Sequence, residues 1–225
     1  MKNAITKIAL TPGHNPLSQG AKRGSMTEFR FAREFIPELM QRAKGIQGIE
    51  LKAFERRYFG RYNYGKEMRQ LHKQIDDWGA HIDIEMHYNA ASSASAKGHE
   101  VLHYKNSTGG KIVAIAMDRA FDKHLFNRDR NRKPVGHGER GSYGLSVGKS
   151  KSILTEPFFK KELPDFLEGG KYREALFDAY IEFFRQIVAL DGNTQALSPK
   201  KRPVTHQANT VLTQAELDFA RELLA

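Results

Sequence analysis

Short apolar runs that alternate with segments of helical period constrain this chain more than any other feature. Residues 4–10, 49–54, 80–87, 100–104 and 152–156 read as strands. Between the first two, Met26, Phe29, Ala32, Phe35, Ile36, Leu39, Met40 and Ala43 recur at helical spacing and predict a helix over 25–44, kinked near Pro37. Further helices are expected over 64–78, stopped by Gly79, and over 111–126 and 172–190. Strands alternating with helices predict an α/β fold. The expectation is a single domain with a twisted, mostly parallel central sheet flanked by helices. Residues 127–150 are basic and rich in glycine and read as a loop without regular structure, and so long a loop often carries function. Residues 1–191 are read as the domain. Residues 192–225 are read as a linker, with Lys200, Lys201 and Arg202, followed by a short amphipathic C-terminal helix opened by the capping box Thr213–Glu216.

Composition narrows the chemistry. The 225 residues include no cysteine, so thiolate metal sites and cysteine nucleophiles are excluded, and His, Asp and Glu remain as the strong metal ligands. Lysine and arginine number 36 against 26 acids, a formal net charge of +10, which favours an anionic partner. The basic residues are scattered, and neither a recognition helix nor an aromatic RNA-binding motif accompanies them, so no nucleic-acid partner is expected. No apolar stretch approaches the ~18 residues of a membrane span. The N-terminal run at Ile8–Leu10 is too short for a signal peptide and is broken by Pro12, so action outside the cytoplasm would need a separate release step. Nothing in the sequence sets the oligomeric state.

In an open α/β sheet, strand ends converge on one crevice. His14 follows the first strand in the turn Thr11-Pro12-Gly13-His14, where glycine permits a tight bend. His87 ends the third strand ahead of Tyr88-Asn89-Ala90, and Glu156 ends the last strand ahead of Pro157-Phe158-Phe159. Two histidines and a carboxylate with an open fourth position make a catalytic zinc set, and a second carboxylate can act as base. Glu28 fits the ligand role, but with Ser25 it also fits a helix capping box. His81, Asp83 and Glu85 share a strand face with His87, so Glu85 is an alternative ligand to Glu28. His99 and His103 share another strand face, and His137 lies in the basic segment. Aromatic neighbours should raise the Glu156 carboxyl by desolvation, which suits a general base.

The strings TPGHNPLSQGA, TEFRFARE, EMHYNAASSASAKGHEVLHY and SILTEPFF, in this order over roughly residues 4–190, resemble the zinc-dependent N-acetylmuramoyl-L-alanine amidases of the amidase-3 type. The resemblance implies an amidase-3-like catalytic domain over 1–191, with one Zn2+ held by His14, Glu28 and His87. It also implies Glu156 as the catalytic glutamate and Asn89 as a substrate-binding residue of the His-x-Asn-Ala motif. Gly98 and Glu100 match the family's Gly-x-Glu. The implied activity is hydrolysis of the bond between N-acetylmuramic acid and L-alanine in peptidoglycan; with the basic surface and no signal-peptide run, the expected placement is a phage or prophage lysin made in the cytoplasm and acting on the cell wall after release. Three positions depart from the pattern. Thr11 stands where an aspartate is usual, Glu85 stands where a serine is usual, and Lys160-Lys161-Glu162 replaces an asparagine after Phe159. Two other readings remain at this point: a non-catalytic basic binding protein on the same fold, and a zinc carboxypeptidase on a similar scaffold.

Overall fold

The computed structural model describes residues 5–60, 63–93 and 95–192. In chain order the elements are β1 (Thr6–Pro12), the two-residue strands β2 (Lys22–Arg23) and β3 (Met26–Thr27), α1 (Glu28–Arg42), β4 (Ile49–Ala53), α2 (Tyr64–Trp78) and β5 (Ile82–Met86). There follow β6 (His99–Tyr104), α3 (Thr108–His124), β7 (Asp129–Val135), α4 (Ser142–Ser146), β8 (Lys151–Glu156), α5 (Leu163–Phe166) and α6 (Arg173–Gly192). The expected linker and C-terminal helix lie outside the described residues.

Six strands form one sheet in the order β4-β1-β5-β8-β6-β7. The first four are parallel, β6 runs antiparallel to β8, and β7 pairs parallel with β6. The sheet is thus mostly parallel, as the alternation predicts, with a reversed pair at one side. Alternation along the strands sorts the two faces. Ile8, Leu10, Ile82, Ile84, Met86 and Ile153 pack with Phe35, Phe121, Phe177, Tyr180 and Phe183 under α1, α3 and α6. The opposite face is thinner. Ala9 meets Met68, Leu71 and Ile75 of α2, and Leu102 and Leu154 meet Leu145 of α4.

The ends of α1 differ from the capping box read in the sequence. Thr27, not Ser25, caps the helix, its hydroxyl accepting from Arg30 N. The Glu28 carboxylate is thereby released from cap duty. Segment 127–150 is also more ordered than its composition implies, since it holds β7 and α4. After β8 the chain is tied back to β6: Glu162 Oε2 accepts from both Phe159 N and Gly98 N at 3.0 Å. The charged triplet that departs from the family pattern therefore supplies a local brace.

Candidate metal centre

The C-terminal ends of β1, β5 and β8 open on the same side of the sheet and deliver His14, His87 and Glu156, while the first turn of α1 brings Glu28. His14 sits in a left-handed backbone conformation, φ 70°, uncommon for a residue with a side chain. Asn15 holds that bend. Its Oδ1 accepts from Leu17 N and Ser18 N, and its Nδ2 donates to buried Glu67. Gly13 serves by close approach rather than by unusual torsion: a Cβ there would come within 2.4 Å of the His87 ring.

One potential ligand atom from each of His14, Glu28 and His87 lies within 4.8 Å of the others. His87 Nδ1 is 2.8 Å and His14 Nε2 is 3.3 Å from Glu28 Oε2. Glu28 Oε1 accepts from Ala21 N at 2.7 Å, which orients the carboxylate. Burial alone would raise the Glu28 carboxyl, but hydrogen bonds from His14 and His87 outweigh it and lower it to about 2. Burial would lower His87, but its bonds to Glu28 and Glu85 raise it to about 10. His14 Nε2 is buried, and Glu28 Oε2 at 3.3 Å does not satisfy it with well-aligned hydrogen-bond geometry, which suits a nitrogen that ligates a cation. Two imidazoles and one carboxylate fit a zinc-type ion. Glu85, the alternative ligand, meets His87 on the other ring nitrogen and is not part of the group.

Glu156 is buried at the end of β8, opposite Glu100 of the antiparallel strand. Burial, then its hydrogen bond with Glu100, pushes Glu156 up to about 7, against the opposing charges of His87 and Arg140. Glu100 itself is held below the usual carboxylate range despite burial, because Lys133 and Arg130 pair with it, Arg130 Nε at 2.6 Å. Arg140 Nη2 lies 3.5 Å from Glu156 Oε1 and is largely exposed at the mouth. A cleft of about 250 Å³ joins His14, His87, Glu156, Arg56, Tyr64 and Arg140.

Asn89, expected to meet substrate, is buried with both ends of its amide engaged: Nδ2 donates to Glu100 Oε1 at 2.8 Å and Oδ1 accepts from Ala90 N. Its contact with the site runs through Glu100. The other histidines fall elsewhere. His81 Nδ1 accepts from Lys7 N. His103 Nδ1 faces Tyr104 O and does not pair with His99. His99, Asp118 and Asp129 form a second close group, but Asn127 and Asp122 engage both nitrogens of His99, and Arg132 is 2.7 Å from Asp118. Both His99 nitrogens and one Asp118 oxygen are therefore already engaged by neighbouring side chains. Arg140 and the pairing of Glu100 with Glu156 were not read from the sequence. Glu100 was visible there as a motif position, but its place opposite Glu156 follows from the reversal of β6.

Among the described residues, no helix is long and apolar enough to cross a membrane. No curated protein matches the sequence. Solved structures match the fold. An N-acetylmuramoyl-L-alanine amidase from Clostridium difficile 630 is 18% identical over 86% of this chain and 100% of its own, with a TM-score of 0.68. The catalytic domain of CwlV from Bacillus (Paenibacillus) polymyxa var. colistinus is 14% identical over 81% of this chain and 97% of its own, TM-score 0.66. The catalytic domain of the CD27L endolysin, which targets Clostridia difficile, is 21% identical over 79% and 94%, TM-score 0.60. The amidase-3 family model, N-acetylmuramoyl-L-alanine amidase, matches residues 8–182, which include His14, Glu28, His87 and Glu156. With most of its length and the whole converging cluster inside that match, the chain belongs to the N-acetylmuramoyl-L-alanine amidase family, the hydrolases that cut peptidoglycan.

Proposed function

We propose that His14, Glu28 and His87 hold one zinc ion and that Glu156 moves the protons as peptidoglycan is hydrolysed between the lactyl carbonyl of N-acetylmuramic acid and L-alanine. The observation that carries this reading is the convergence of three ligand atoms within 4.8 Å of one another, with His14 and His87 lining the same cleft as Glu156. A zinc ion bound there supplies a Lewis acid that polarises a carbonyl and lowers the pKa of water.

The remaining work belongs to the chain. Glu156, raised to about 7, takes a proton from the attacking water as the new C–O bond forms. It returns a proton to the alanine nitrogen as the C–N bond breaks, so the products are a free glycan strand and a stem peptide with a free amine. Glu100, kept ionised by Arg130 and Lys133, is the second influence after burial that holds Glu156 near neutrality. Asn89 fixes Glu100 in place.

Mass spectrometry of purified peptidoglycan digested with and without a zinc chelator tests the reading. Chelator-sensitive release of intact stem peptides with a free L-alanine amine is the expected result. Shorter peptides would instead indicate a carboxypeptidase or another peptidase on the same site, and release that persists after metal removal would refute the zinc assignment.

A further inference from the structure

Glu85 stands two residues before His87 on β5, so both side chains lie on the face covered by α2 and α4. It is also the position where the family pattern has serine. Its carboxylate is buried. Glu85 Oε1 lies 3.1 Å from His87 Nε2, while His87 Nδ1 lies 2.8 Å from Glu28 Oε2. The two nitrogens of one ring thus face two different carboxylates, Glu28 inside the ligand group and Glu85 outside it.

We propose that Glu85 is a positioning residue for the metal centre: it holds the Nε2 proton of His87, so that Nδ1, which faces Glu28 and His14, is the nitrogen that gives up its proton to a bound cation. This rests on the reading of His14, Glu28 and His87 as zinc ligands. A neutral imidazole carries one proton, and the hydrogen bond made by one nitrogen decides which nitrogen is left to bind a metal. An anionic acceptor also makes the ring a stronger electron donor than a hydroxyl would. The packing leaves Glu85 little freedom to turn away. Gly144 of α4 covers it closely: a Cβ at that position would come within 3.0 Å of Glu85 Oε2 and within 2.8 Å of Met68 Cε. The segment between β7 and β8 therefore presses bare backbone against the carboxylate that orients His87.

The test is zinc affinity of the metal-stripped full chain, measured by competition with a chromophoric chelator, together with 15N NMR of the His87 ring in the zinc-loaded protein. The wild type binds one zinc per chain and carries its ring proton on Nε2. Glu85→Gln keeps an acceptor without the charge, and Glu85→Ala removes both. Each keeps a stoichiometry of one and binds about 10- to 100-fold more weakly, alanine more so than glutamine. Wild-type affinity in both variants, or a ring proton on Nδ1 in the loaded wild type, overturns the positioning role and leaves the ligand assignment standing. A wild type that binds no zinc overturns the ligand assignment and this inference with it.

Discussion

Glu156 and Glu100 form a pair in which one carboxylate is kept charged so that the other can hold a proton near neutral pH. Removing the proton carrier separates binding from chemistry, because Glu156 is not within the three-residue ligand group. Glu156→Ala is expected to bind zinc as the wild type does and to lose turnover by about 10²–10⁴-fold, checked by metal analysis beside a peptidoglycan release assay. Glu100→Gln probes the pair differently. Burial and Glu100 raise Glu156 to about 7, so its basic form is depleted as the pH falls through that value. Removing the Glu100 charge lowers Glu156 and leaves Arg130 and Lys133 to lower it further, so the acid limb of kcat/KM moves to lower pH. An unmoved limb would show that Glu100 does not set it. That His14, Glu28, His87 and Glu156 gather at one end of the sheet was legible in the sequence, because each ends a strand or opens a helix at a recognisable string. The partners were not. Glu100 meets Glu156 through a strand reversal, and Arg140 arrives from a segment with no apolar period.

Elements aim these side chains through contacts that tolerate little added volume. The β1 end approaches the His87 ring so closely that the Cβ of Gly13→Ala would sit 2.4 Å from ring atoms. The ring must turn or the backbone must move, and either disturbs the ligand geometry. We expect the variant to stay folded while losing zinc affinity by an order of magnitude or more, read by chelator competition and circular dichroism. The buried strands and long helices were predictable within a few residues, because runs such as Ile8–Leu10 and the period of Phe35, Ile36 and Leu39 write burial into the sequence. β7 was not, and its chemistry explains why. It is an edge strand of sequence Asp-Arg-Asn-Arg-Lys-Pro-Val, mostly half-exposed, with charges and a proline that suit an unpaired edge. α4 spans only five residues, too few to show a period. The direction of β6 is likewise silent in the sequence, since alternation reports which face a residue takes and not which way the strand runs.

At the scale of the whole molecule, the chain carries a net charge of +10 and belongs to a family whose substrate is a polymer wall. The field of such a surface acts over about 8–10 Å at moderate ionic strength and chiefly accelerates encounter with an anionic partner. Among the described residues Arg140 carries this basic character to the cleft mouth, where its guanidinium faces Glu156 and solvent. Raising the salt from about 50 to 300 mM is expected to slow release from intact anionic walls by on the order of tenfold, while hydrolysis of a small uncharged muramoyl-alanine amide changes little. The two rates are measured side by side with the same enzyme stock. Equal salt sensitivity on both substrates would place the electrostatic effect inside the cleft, at Arg140 and its neighbours. Insensitivity on both would mean that the basic surface does not contribute to wall capture.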